Sequence, residues 1–258
     1  MTVAGLVTTA LLLGTGVLAP LLAGDPLAQG PEALRGPSAT HWLGTDEFGR
    51  DLLARVLHGL RQDVLVACVA VPVAALLGTA LGLVSGLSPG LDVVVQRGFD
   101  VLLAFTALVM GVTVAAIVGP GMTAVVVTVV LVNVPLFGRV ARAAVLAQKG
   151  RDYVVAAELL GGSGSRVLLR HVLPNSVDGL VVQAALSLSL AVFIEGAMSF
   201  VGIGVRPPEP SLGALLRTSI NFLDQNPAYA LGPMVVVTLL VFGFQLVADG
   251  TGKGLLRR

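Results

Sequence analysis

Five stretches of this chain carry no Asp, Glu, Lys or Arg: residues 1–24, 64–91, 101–138, 179–194 and 225–248. A helix needs roughly 20 apolar residues to cross the hydrocarbon core of a bilayer. Each stretch approaches or exceeds that length, and the third is long enough for two crossings. Backbone polar groups cannot be left unpaired in lipid, so such stretches must form helices that satisfy their own hydrogen bonds. A soluble protein of 258 residues would need far more surface charge than 12%, against 55% hydrophobic residues. The fold class is therefore all-α, a polytopic membrane protein with about six transmembrane helices.

Taken in order, the first span is expected over residues 3–23. Residues 1–24 contain no Lys or Arg, whereas a cleaved signal peptide usually begins with positive charge, so a retained span is the expectation. Residues 25–62 are polar and rich in Gly and Pro. Within them Leu52, Leu53, Val56, Leu57 and Leu60 share a helical face, which predicts an amphipathic helix lying along the membrane surface and feeding into the second span. Thr45 is its expected N-cap, with Asp46 and Glu47 in the first turn, where the helix dipole favours acids. The core, residues 63–258, is expected to hold spans at 64–87, with a kink at Pro72, and at 100–118, 122–140, 177–203 and 228–247. Ser88-Pro89-Gly90 and Gly119-Pro120-Gly121 supply turns.

Between two of these spans lies a polar segment, residues 152–174. Tyr153, Val154, Ala157 and Leu160 recur at helical spacing; Gly161, Gly162 and Gly164 then interrupt, and a second short helix is expected from Ser165 to Pro174. A helix, a glycine turn and a helix between spans have the form of a docking element. Basic residues decide its side. Arg97, Arg139, Arg142, Lys149, Arg151, Arg166, Arg170, Lys253, Arg257 and Arg258 fall on the side of the N-terminus; Arg35, Arg50, Arg55, Arg61, Arg206 and Arg217 fall opposite. The positive-inside rule puts both termini and the segment in the cytoplasm. The excess of Arg over Lys and the Ala, Val, Gly and Leu bias point to a GC-rich bacterial genome.

Several chemistries are excluded. A net charge of +1 suggests no nucleic-acid partner. Gly250-Thr251-Gly252-Lys253-Gly254 resembles part of a phosphate loop, but the closing Ser or Thr is Gly254 and the leading Gly is Val247. Gly161-Gly162-Ser163-Gly164 matches a serine-protease fragment, yet His41, His58 and His171 all lie outside the spans. Asp46, Glu47 and Asp51 lack the spacing of a calcium loop, and ion pairing of this run with Arg50 and Arg55 is expected instead. Cys68, inside an apolar run, is expected to be a small core residue. No cofactor or metal is expected on this chain. Glu195 stands apart: a charge deep in a span costs about 2.5–3.5 kcal/mol. It is either a polar contact along a translocation route or a structural hydrogen-bonding partner of a neighbouring helix.

Residues 152–174 resemble the cytoplasmic EAA loop of ABC-importer permeases, through Val155-Ala156-Ala157, Gly161 and Val172-Leu173-Pro174. HWLGTDEFGRD at 41–51 and EGAMSFVGIGVRPPEPSLG at 195–213 are similar to the C-type permease subunit of dipeptide, oligopeptide and nickel importers. The resemblance implies a non-catalytic subunit in the bacterial cell membrane, with a second related permease, two cytoplasmic ATPase subunits that hydrolyse ATP with Mg, and an extracytoplasmic solute-binding protein. It assigns ATPase docking to Tyr153, Val154, Val155, Ala156, Ala157, Gly161, Leu173 and Pro174. The family's motif Glu is Val155 here, so that ionic contact does not carry over. An ion-coupled secondary transporter is the alternative; it would need its own coupling machinery, commonly internal repeats and broken helices, and no clear repeat is seen.

Overall fold

The computed structural model describes residues 2–86, 88–148, 151, 164, 168, 170, 173–174 and 177–255. Among them the chain is helical, without a named strand: α1 (Thr2–Val17), α2 (Ala19–Leu22), α3 (Leu52–Ser85), α4 (Pro89–Leu103), α5 (Ala107–Val118), α6 (Met122–Gln148), α7 (Val177–Val201), α8 (Leu212–Ser219) and α9 (Ala228–Leu255). The helices α3, α6, α7 and α9 are long and apolar enough to cross a membrane, and α4 with α5 makes a fifth candidate if the bent pair is one span. The shorter α1, ending before Pro20, is also apolar. Large apolar side chains such as Leu76, Ile117 and Phe193 point outward, as expected where lipid or another membrane protein replaces water.

Four expectations change. First, the amphipathic stretch 52–62 does more than feed into the next span: it forms the opening turns of one continuous helix, so a boundary at 62/63 falls inside α3. Thirty-four residues make it roughly 51 Å long. Leu52, Val56 and Leu60 face protein, packing with Val192, Leu212, Leu215 and Tyr229. Second, the N-cap is Asp51, which accepts from Leu53 N at 2.7 Å and Ala54 N at 3.1 Å. Third, the span expected from residue 100 is broken. Ser88 caps a helix with Pro89 in its first turn, and after Leu103 the chain bends by 92° into α5, capped by Thr106. The arm α4 is held against α6 by Arg142, whose Nε and Nη2 bind Asp92 at 2.5 and 2.7 Å, and by Arg139 to Asp100 at 2.8 Å. Fourth, Cys68 is exposed; it lies on the same outward stripe of α3 as Leu65, Val69 and Leu76.

The main core joins α3, α6 and α7 through Val66, Ala70, Val129, Phe137, Ile194 and Met198. Its tightest seam is between α3 and α6. A Cβ on Gly78 would stand 2.3 Å from the Val134 carbonyl oxygen, and one on Gly82 would stand 2.3 Å from that of Gly138. Glycines spaced four apart let two backbones approach to a distance that any side chain would prevent. Phe99 of α4 closes on the same place, its ring reaching Gly138.

Gly82→Val should therefore cost about 1–3 kcal/mol or more through overpacking, read as a lower melting temperature in detergent. Gly98, with open space around it, is the contrasting site: Gly98→Ala should be neutral or gain up to about 1 kcal/mol of helix propensity. Equal responses of the two variants would refute the tight seam.

Candidate functional site

Three clusters contain the residues singled out by sequence. The first is the turn before α3. Asp46 is fully buried; its Oδ1 accepts from Phe48 N at 2.8 Å and Arg50 N at 2.9 Å, while Oδ2 accepts from Arg50 Nε at 2.6 Å and from Arg55 Nη1. The ion pairing expected of this run is present, with one carboxylate serving two guanidinium groups. Glycine is required at Gly49, where φ is +73° and a Cβ would collide with the Gly30 carbonyl. Thr45, not a cap, donates to Glu32 O at 2.6 Å and accepts from Arg35 N at 2.9 Å. The turn is tied to α9 at its start: Tyr229 Oη donates to Glu47 Oε2 at 2.8 Å, and Asn226 Nδ2 donates to Arg35 O at 3.3 Å. His41 Nδ1 lies 2.9 Å from Asp51 Oδ2. The sequence HWLGTDEFGRD thus builds a rigid cap over one end of α3 and α9.

The second cluster follows Glu195. Its side chain is fully buried, with Ser199 Oγ donating to Oε1 at 2.7 Å. Ser199 Oγ in turn accepts from Val205 N at 3.1 Å, fastening the chain where it leaves α7. Gly213 lets α8 touch the backbone of α7: a Cβ there would stand 2.2 Å from the Gly196 carbonyl oxygen. The residue facing Glu195 from α3 is Asp63, 1% exposed. Sequence reasoning missed it, because Asp63 sits immediately before a charge-free run and reads as its polar border. Its position three and seven residues after the buried Leu60 and Val56 was the available signal.

The third cluster is at the opposite end of α3. Leu168 is buried among Leu83 of α3 and Val145 of α6, with Leu173 packed against the group and its N–H bonded to Leu168 O at 2.8 Å. Leu168 and Leu173 of the polar segment are thus seated on the two helices joined by the glycine seam. Tyr153, Val154, Val155, Ala156, Ala157 and Gly161 lie outside the described residues. Among the described residues no group of three or more His, Cys, Asp or Glu is placed to hold a metal ion.

A bundle of long apolar helices with one bent helix pair and a closed cap at one end defines a polytopic membrane protein. Residues 75–258 match the family described as "Binding-protein-dependent transport system inner membrane component", and the chain belongs to that family. Among similar proteins is the "Dipeptide transport system permease protein DppC" of Alkalihalophilus pseudofirmus, 34% identical, with the likeness covering 97% of this chain and 83% of that one. The "Di/tripeptide transport system permease protein DppC" of Pseudomonas aeruginosa is 37% identical over 88% of this chain and 75% of its own length. The "Probable D,D-dipeptide transport system permease protein DdpC" of Escherichia coli is 35% identical over 97% and 85%. In fold, a chain of the MetNI methionine ABC transporter in an inward-facing conformation is similar, with a TM-score of 0.64 at 18% identity over 79% of this chain and 97% of that one.

Replacing Asp46 by Ala leaves two guanidinium groups buried without their carboxylate, so a loss of about 3–5 kcal/mol is expected. His41→Ala touches a partly exposed pair and should change stability by no more than about 1 kcal/mol. Thermal unfolding of the detergent-solubilised chain distinguishes these outcomes.

Proposed function

We propose that this chain is a membrane-spanning permease subunit of an ATP-driven ABC importer that takes up peptides or a related solute. The observation that carries this reading is the likeness, along nearly the whole chain, to permeases named for dipeptides. The chain itself catalyses nothing in this scheme and binds no cofactor; ATP and Mg belong to two partner ATPase subunits. A second permease completes the pathway, and an extracytoplasmic binding protein delivers the solute. Both termini and the 152–174 segment face the cytoplasm of a bacterium, in keeping with the distribution of basic residues.

Energy enters through the polar segment. Its first half, Tyr153, Val154, Val155, Ala156 and Ala157 with Gly161, docks on the ATPase by apolar packing, since Val155 offers no carboxylate. Its second half, ending at Leu173 and Pro174, passes the displacement on through the Leu168 seat on Leu83 and Val145. The glycine seam makes α3 and α6 move as one body, so closure of the ATPase pair swings both, a rigid-body change of the hinge-and-shear kind. The long helix α3 carries that swing to the cap around Asp46, which faces the binding protein. Glu195, fully buried here, reaches the pathway when α3 and α7 part.

Purification of the native membrane complex tests the reading: two ATPase chains should accompany this one, and dipeptide uptake into proteoliposomes should require ATP. Purification alone, with transport driven by an ion gradient and no ATP, would establish the secondary-transporter alternative. Ala157→Arg should abolish ATP-dependent uptake by blocking assembly or by uncoupling hydrolysis from transport. Normal assembly and uptake in that variant would remove the segment from the coupling role.

A further inference from the structure

The contact between Asp63 and Glu195 has an unusual balance of donors and acceptors. Both side chains are buried, at 1% and 0% exposure, and their carboxyl groups face each other between α3 and α7. Ser199 occupies Glu195 Oε1. Among the described residues, no N–H or O–H from elsewhere reaches Asp63 Oδ1, Asp63 Oδ2 or Glu195 Oε2. Three buried acceptor atoms therefore have no donor supplied by the described residues.

Nor, among the described residues, does a cation offset them. On α3, Arg55 is bound to Asp46, Arg61 is exposed and His58 Nδ1 lies against Ala54 O at 2.9 Å. In the loop after α7, Arg206 lies over the Gly119–Gly121 turn and Glu209 accepts from Gln62 at 3.2 Å. On α8, the exposed Arg217 covers Gly202. On α9, Tyr229 binds Glu47, while Asp249 and Lys253 lie towards its far end. On α7, Asp178 lies in the first turn, far along the helix from Glu195. On α6, Arg139 and Arg142 pair with Asp100 and Asp92; α1 and α5 contain no charged residue. Among the described residues, Glu195 is the charged group that faces Asp63.

Two ionised carboxylates in contact would combine like-charge repulsion with the loss of both hydration shells, and groups so placed do not both ionise. One proton removes a charge and creates the missing O–H donor at the same time. We propose that Asp63 and Glu195 hold a single proton in common, and that this shared proton is a latch fastening α3 to α7. The proton comes from water and returns to it when the helices part; it leaves at high pH, and the contact then loosens because two like charges face each other. The assignment concerns this chain alone and does not rest on what the protein transports.

Infrared spectroscopy of the full chain in detergent tests the latch through the carbonyl stretch of protonated carboxyl groups, compared with the Asp63→Asn, Glu195→Gln double variant. The parent should show a protonated-carboxyl band at neutral pH that fades as pH rises, and the double variant should lose it. The parent's melting temperature should fall over the same rise by about 3 °C or more relative to the double variant, whose amide groups supply donors and cannot titrate. If the double variant fails to fold, Glu195→Gln alone serves, since Gln can still accept from Ser199 and donate to Asp63. Absence of the band from the parent, or a band and pH response matched by the variant, would overturn the proposal.

Discussion

The approach of α3 to α6 through Gly78, Gly82 and Gly138 sets the geometry on which the other contacts depend. In lipid, apolar side chains gain little by leaving their surroundings for one another, so helices are held by close packing and by polar contacts. Backbone-to-backbone contact maximises the first. It also brings Phe99 over Gly138 and places Arg139 and Arg142 where Asp100 and Asp92 can reach them. The bent α4–α5 unit is therefore a consequence of the seam as much as of its own sequence.

The same rod joins two kinds of ending. At one, Asp46 gathers two guanidinium groups and the loop that precedes α3; at the other, Leu83 and Val145 form an apolar seat for Leu168. The buried ionic cluster is geometrically demanding, because each lone pair needs a particular donor. The apolar seat is tolerant of sliding. A helix that is fixed firmly at its cap and loosely at its seat can transmit displacement while keeping its cap intact.

Much of this was legible in residue order. Charge-free length located α3, α6, α7 and α9, because hydrocarbon thickness imposes a minimum run. Motif likeness located the cap, the end of α7 and the polar segment. What escaped depends on partners distant in sequence. The break at residues 104–106 is apolar and unremarkable in isolation; the anchors that bend it, Asp92 and Asp100, find arginines 50 and 39 residues away. Thr45 and Asp51 are both competent caps, and only the folded loop shows that Thr45 is engaged by Glu32 and Arg35. Asp63 gave no sign of a partner because Glu195 lies on another helix. Apolar context marked Cys68 as membrane-embedded but said nothing of which way it faced.

That last residue has a practical consequence. Cys68 is the one cysteine in the chain and is exposed on the outer stripe of α3. A spin label or fluorophore attached there would ride on the rod between cap and seat, without a background of competing thiols in this subunit. Changes in its distance to a second label would record directly any rotation of α3 of the kind proposed above, as a ruler already built into the natural sequence.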